Sequence, residues 1–263
     1  MFWRWWKIVR GALIFTAFYM AGAFFGWLFL PLWSLTTRDP LLRMRRNQIA
    51  VSTCFRVTLD LLRWARIFTF DPRLVDPCLP GRPVIVVSNH PTTIDVVAVL
   101  AVYRDASVVV KHKIWNDRFL QRLFRYCGHI DGGDGSMAAN QQLLANVQKR
   151  LSEGFTVVIF PEGTRSPPRG LGNMFKGAFA VASTTQTDIL PVLITSDPPA
   201  LHKDAPWHVL PDHPVDYRVR PQPLIPARGA SAKKLQRQVV EMYRAELGLP
   251  AQEREPVRDV AAP

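Results

Sequence analysis

Residues 83–103 read PVIVVSNHPTTIDVVAVLAVY, two apolar runs divided by a polar cluster that holds one histidine and one aspartate. PVIVVS (83–88) is short and apolar on both faces, which predicts a strand covered by protein on each side. TTIDVVAVLAVY (92–103) is long enough for the helix that follows, despite its β-branched content. The unit is strand, loop, helix, and the polar cluster falls at the carboxyl end of the strand. Open α/β sheets place ligands there.

The same alternation continues downstream. SVVVK (107–111), TVVIFP (156–161) and ILPVLIT (189–195) read as further buried strands, and YRVR (217–220) as an edge strand. Helices are predicted over 115–126, from a Ser136 cap to Leu151 with Gly154 as the stop, over 175–185 and over 232–247. The predicted fold class is α/β: a mostly central sheet flanked by helices, preceded by an N-terminal membrane helix. Proline and glycine in PCLPGRP (77–83) mark its start, so residues 77–250 form one catalytic-sized domain, and the tail 251–263 is expected to be loose.

Ahead of this domain, no charged residue occurs between Arg10 and Arg38, and 11–35 read GALIFTAFYMAGAFFGWLFLPLWSL. A helix of that length reaches roughly 35–40 Å, enough for a hydrocarbon layer of ~30 Å, and it exceeds a signal-peptide core. Trp3, Trp5 and Trp6 alternate with Arg4, Lys7 and Arg10 like an interfacial anchor, and Arg38, Arg43, Arg45 and Arg46 follow the segment. Basic flanks on both sides leave orientation open. Pro31, Gly22 and Gly26 leave room for a bent or re-entrant path, so residues 1–37 are a membrane segment that either spans or returns. Residues 38–76 form a basic helical linker: within 45–69 an apolar stripe of Ile49, Phe55, Leu59, Leu62 and Ile67 opposes Arg56, Arg63 and Arg66. Such a helix either lies in an anionic interface or docks on the domain with its arginines in water.

Composition narrows the partners. The chain of 263 residues carries 33 Lys plus Arg against 21 Asp plus Glu, a formal charge of +12. That excess suits an anionic membrane face, a phosphorylated substrate or nucleic acid. No nucleic-acid reader motif occurs, and the membrane segment accounts for the charge more economically. Cys54, Cys78 and Cys127 are odd in number and far apart, against a disulfide framework or a cysteine-rich zinc site.

Two polar clusters follow strands: SNHPTTID (88–95) and PEGTRSPP (161–168). His90 and Asp95 are five apart, on different faces of a continuous helix. They meet only if the chain turns at His90–Pro91 and the helix starts near Pro91 or Thr92. An aspartate holding one imidazole nitrogen would leave the other as a base; the alternative is an Asp95 that caps the helix while His90 packs. No G-x-S-x-G elbow supplies a covalent nucleophile, so the substrate would bring the hydroxyl. In the second cluster Gly163 permits close ligand approach, Arg165 offers a planar fork for phosphate or carboxylate, and Glu162 could hold that fork or a substrate hydroxyl. An ordinary charged surface turn is the alternative. Lys111 at a strand end and Lys176 after the next loop add candidate positive charge.

SNHPTTID resembles the N-H-x-x-x-x-D signature of the glycerolipid acyltransferases, the family containing 1-acylglycerol-3-phosphate acyltransferase. FPEGTRS (160–166) resembles its second hallmark and ILPVLI its hydrophobic-proline block, in the family's order over about 80–225. The resemblance implies His90 as general base and Asp95 as its orienting partner. It implies an acceptor-binding role for Glu162, Gly163, Thr164 and Arg165, and a pocket-shaping role for Pro191 near the acyl donor. Acyl-CoA or acyl-ACP thioester would be the cosubstrate, with no other cofactor and no metal; partners would be membrane lipid and a lysolipid or other hydroxyl acceptor. The likeness extends to small divergent bacterial members, which implies the inner membrane with the catalytic domain facing the cytoplasm. One element departs. The family's Gly–apolar–x–x–Arg block corresponds to CGHIDGGDGS (127–136), with Gly128 and Ile130 but no arginine. Asp131 and Asp134 there would repel phosphate unless they point away or pair with Lys111 or Lys113, which opens the acceptor to amine-bearing or sugar lipids. An acyl-thioester hydrolase and a non-catalytic membrane scaffold are the competing functions.

Overall fold

A computed structural model describes residues 2–70, 81–203, 205–206 and 208–250, with side chains from residue 5 onward. Cys78, the expected domain start at Pro77 and the tail 251–263 lie outside the described residues. Seven strands build one sheet: β1 (Phe68–Phe70), β2 (Ile85–Ser88), β3 (Ala106–Val110), β4 (Ile130–Asp131), β5 (Thr156–Ile159), β6 (Ile189–Asp197) and β7 (Val215–Pro221). Their order is β1-β7-β6-β2-β5-β3-β4. Strands β2 to β6 run parallel; β7 is antiparallel to β6, and β1 runs parallel to β7.

The central strands alternate between two cores. Val86 of β2, Val158 of β5 and Leu190, Val192 and Ile194 of β6 face one apolar cluster. Their neighbours Ile85, Val87, Val157, Ile159, Ile189 and Leu193 face the other. The first core is covered by α3 (Pro40–Trp64) and α4 (Asp95–Val102), the second by α7 (Met137–Ser152), α8 (Gly177–Thr185) and α9 (Ala232–Glu246). Apolar residues on both faces of each strand are what a two-sided sheet requires. Capping follows the sequence signals: the Ser136 hydroxyl accepts from Ala139 N at 3.2 Å, and Gly154, at φ 85°, lies just past the end of α7.

Several boundaries differ from the sequence expectations. The helix read over 45–69 stops at Trp64, because Arg66 takes a left-handed φ of 56° and Phe68–Phe70 join the sheet. β7 is consequently not an edge; β1 lies outside it, with Phe68 and Phe70 packed edge-on against Tyr217. The helix expected from 92 begins at Asp95. The segment 115–126 splits into α5 (His112–Trp115) and α6 (Gln121–Tyr126), since the Asp117 carboxylate accepts from Phe119 N and Leu120 N between them.

At the N-terminus α1 (Phe2–Phe24) continues through a π-helical turn, Phe25–Phe29, into α2 (Leu30–Ser34). Pro31 is tolerated because it falls in the first turn of α2. The chain then reverses, and α3 returns alongside, its start capped by Asp39 through Leu41 N at 2.8 Å. The resulting hairpin is docked along its whole inner side. Lys7 Nζ donates to Pro211 O at 3.1 Å, Phe15 and Phe18 pack on the first core, and Leu30 is fully buried. Gly26 admits the Leu123 backbone; a Cβ there would stand 2.9 Å from Leu123 N.

Candidate active site

β2 lies between β5 and β6, so SNHPTTID and PEGTRSPP emerge side by side at the same sheet end. Asn89 fixes the exit from β2. Its amide donates to Ile194 O at 2.9 Å and its Oδ1 accepts from Ile194 N at 2.7 Å, extending the β2–β6 pairing through a side chain. His90 is then held by its own backbone. Its N–H is shared by Glu162 Oε1 and Ser166 Oγ, both at 3.1 Å, and its carbonyl accepts from Ser166 N at 2.7 Å.

The His90 ring meets Asp95, with Nδ1 to Oδ2 at 2.7 Å. The helix does not start early enough to bring them together by its own turns. Instead a bend over 91–94 lets Asp95, the first helical residue, reach back and accept from Thr92 N at 2.7 Å as well. Thr92 Oγ1 and Tyr217 Oη supply two donors to Oδ1, the latter at 2.7 Å. Four donors thus converge on one fully buried carboxylate. Burial, then the Asp95 charge, pushes the Tyr217 phenol well above its ordinary pKa, so it stays a donor. A carboxylate that only accepts requires the proton on Nδ1, which leaves the Nε2 lone pair outward. Among the described residues Nε2 has no partner; the side chain is 20% exposed, with the Phe160 ring 4.9 Å away.

Glu162 is engaged internally. Its carboxylate accepts from His90 N, from Ser166 Oγ at 2.7 Å and from Gly172 N at 2.7 Å, and it is buried. Burial raises its pKa, against the pull of those three donors. Gly172 is required for this approach, since a Cβ would fall 2.1 Å from Glu162 Oε2. Gly163 and Thr164 are exposed, and Gly163 adopts φ 60°, a conformation that glycine takes without strain. Arg165 Nη1 donates to Thr93 Oγ1 and Leu201 O at 2.9 Å and to His202 O at 3.1 Å. Its Nη2 and Nε carry no partner among the described residues.

Lys111, at the end of β3, brings Nζ within 3.5 Å of Gly163 O, so it joins the second cluster. Lys176 is exposed just before α8, one residue past Phe175, whose N–H bonds Pro161 O at 2.9 Å. Pro191 lies in β6 opposite Val87, one strand from the histidine. In the block that lacks arginine, Asp131 pairs with His112 Nδ1 at 3.0 Å rather than with Lys111 or Lys113, and Asp134 accepts from Ser136 N at 2.9 Å. Next to it, burial and then the Arg150 charge push the His129 imidazole down to about 3, which keeps it a neutral acceptor for Val108 N. Tyr217, Thr92, Asn89 and Ser166 were not singled out from sequence. The T-x-x-D spacing of Thr92 and Asp95 signals a local cap, whereas Tyr217 lies 122 residues away and has no local sign.

Residues 72–195 match the family model described as Acyltransferase. Among curated relatives, the 1-acyl-sn-glycerol-3-phosphate acyltransferase of Pseudomonas aeruginosa is 26% identical over 161 residues, 58% of this chain and 60% of that protein. The probable enzyme of the same name from Mycoplasma genitalium is 29% identical over 127 residues, 45% of this chain and 46% of that protein. The chain spans about a third to a half of the first curated relatives it matches. The crystal structure of the 1-acyl-sn-glycerophosphate acyltransferase PlsC from Thermotoga maritima superimposes with a TM-score of 0.69 at 19% identity, over 92% of this chain and 96% of that one. That likeness establishes the shared fold.

Proposed function

We propose that this chain, a member of the Acyltransferase family through residues 72–195 and of the glycerolipid type, is a membrane-bound O-acyltransferase. The acyl group passes from an acyl-CoA or acyl-ACP thioester to the hydroxyl of a lysolipid. The single observation that carries the reading is the His90–Asp95 contact of 2.7 Å with Nε2 turned outward. Nε2 accepts the acceptor's hydroxyl proton as its oxygen attacks the thioester carbonyl; the imidazolium returns that proton to the departing thiolate. Asp95 orients the ring and stabilises its charged form. No enzyme nucleophile takes part, and no acyl-enzyme forms.

The second loop receives the acceptor. Gly163 and Thr164 form its exposed rim, and Arg165 contributes Nη2 and Nε beside Lys111. Lys176 adds positive charge at the start of α8, and Pro191 shapes the donor side. Glu162 acts from behind, holding His90 N and the loop in register, a positioning role rather than a substrate contact.

The N-terminal hairpin attaches the domain to a bilayer. Trp5–Ser34 is long and apolar enough to cross a membrane by length and composition. Its inner face is docked along the domain, however, so the hairpin lies in the boundary of one leaflet with its outer face in hydrocarbon. An acceptor carrying an acyl tail then reaches His90 without leaving the membrane, where each CH₂ transferred to water would cost ~0.8 kcal/mol. In this reading the catalytic end faces the cytoplasm, where acyl-CoA and acyl-ACP are found.

The test is to incubate membranes carrying the protein with labelled acyl thioester and a panel of lysolipids, then to identify the product by mass. A new ester is expected, and His90→Ala should lower its formation by at least ~10². Free fatty acid in place of ester would make the chain a thioester hydrolase. Full turnover by His90→Ala would remove the base assigned here.

A further inference from the structure

We propose that the open end of the hairpin, where the start of α1 meets the end of α3, is a binding site for the headgroup of an anionic glycerophospholipid, separate from the catalytic cluster. It rests on the membrane-bound reading above and adds a specific lipid to it. A cavity of about 720 Å³ opens between α1 and the end of α3, lined by Arg10, Asp60, Arg63, Trp64 and Arg66. Three guanidinium groups face one carboxylate, and among the described residues none of the four makes an ion pair.

One of the three arginines is held in place rather than loosely displayed. Arg10 lies over the Trp6 ring at 5.1 Å and the Trp64 ring at 5.5 Å, which fixes the plane of its fork. One residue on, Gly11 packs where a Cβ would touch Ile67 at 3.5 Å, so the α1 end is tied to the segment carrying Arg66. Arg66 occupies the residue after the helix cap. Its N–H bonds Arg63 O at 2.9 Å, Ile67 N bonds Leu62 O at 3.0 Å, and its φ is 56°. That pattern of helix ending strongly favours glycine. An arginine kept in the left-handed region, with its charge facing a cavity and no protein partner, points to a ligand that its guanidinium serves.

The surroundings identify the ligand. In the lining Trp64 is 71% exposed, and Leu13, Val57 and Leu61, each three residues along a helix from Arg10, Asp60 and Trp64, are exposed as well. Aromatic and aliphatic side chains bordering a basic pocket match the headgroup level of a bilayer, with acyl chains running along the hairpin. The arginines take the phosphate, and Asp60 accepts from a headgroup hydroxyl. Phosphatidylglycerol has both features, and its net negative charge complements three arginines against one aspartate.

The experiment measures binding of the full chain to vesicles of phosphatidylcholine, alone or with one-third phosphatidylglycerol. Arg66→Gly is the informative variant because it relieves the backbone and so should keep or raise the Tm. Its affinity for the phosphatidylglycerol vesicles is expected to fall about fivefold, and that of Arg63→Gln/Arg66→Gly about twentyfold or more, with little change on phosphatidylcholine alone. Arg237→Gln, on α9 across the sheet, should have no such effect; an equal loss there would reduce the matter to net charge and overturn the site. Inorganic phosphate, matched in ionic strength with chloride, should not displace the protein from vesicles. Displacement would assign the pocket to a soluble anion and overturn the lipid. Binding is read without turnover, so an absence of ester formation would sink the proposed activity alone, and equal binding to both vesicle types would sink this site alone.

Discussion

The two ends of the molecule solve opposite problems. At the proposed catalytic end, polar atoms are buried and nearly all are satisfied: Asp95 accepts four hydrogen bonds, Glu162 three, and Asn89 makes two. In the hairpin, apolar side chains are left in the open, with Leu13 66%, Met20 61% and Leu32 59% exposed. The first region is complete as folded, since every donor around His90 is supplied by the chain. The second has its inner face matched to the domain and its outer face unmatched to water. Preorganised electrostatics can act only where geometry is fixed in advance, whereas membrane attachment needs surface that folding leaves uncovered.

The sharpest way to break the catalytic half is Asp95→Asn. With its nitrogen in the Oδ2 place the amide would face both Thr92 N and the His90 ring with a donor; with its nitrogen toward the Thr92 and Tyr217 hydroxyls it keeps an acceptor for Nδ1, but in both orientations the negative charge behind the imidazolium is lost. Turnover should fall by ~10³ or more with the backbone in place, as when a buried aspartate that sets a catalytic tautomer is neutralised. Steady-state acyl transfer beside circular dichroism checks this. Near-normal turnover would mean that the ring needs no partner to act as base.

The hairpin half is broken by Leu28→Asp, on the exposed side of the π-helical turn. A carboxylate placed in hydrocarbon costs ~2–3 kcal/mol, so partition onto vesicles should weaken by about a hundredfold. The Tm in detergent should be unchanged, because the side chain touches no core. Unchanged vesicle binding would show that this face does not enter the bilayer. The two substitutions sharpen the contrast together, one removing chemistry with attachment intact and the other the reverse.

How much of this was legible in the chain follows from how local each feature is. PVIVV declared β2 because a run apolar on both faces has few other solutions, and Ser136 with Gly154 bracketed α7 through capping. The His90–Asp95 pair was readable as a possibility, but the bend that joins them is set by Thr92 and not by helix spacing. Glu162 showed its charge in sequence and not its burial, which depends on Gly172 ten residues on. β1 was hidden inside a helical pattern because it exists only by pairing with β7, some 147 residues later. Long-range pairings leave no periodicity to detect, which is why β1 and Tyr217 gave no sign in the chain.

Tyr217 gives the smallest and most discriminating effect. Its hydroxyl donates to Asp95 Oδ1 from β7, two strands away from β2, and it touches neither His90 nor the open side of the site. Tyr217→Phe removes one of four donors and leaves the other three, so Asp95 keeps its grip on Nδ1 while its second oxygen is less restrained. Losing a hydrogen bond to a buried charged group costs about 1.5–3 kcal/mol of stability. Turnover should fall only three- to fivefold, with the acceptor KM unchanged, because the phenol meets no substrate. A change in the acceptor KM would instead place Tyr217 in the acceptor pocket, and the catalytic end would then not be complete without its ligand.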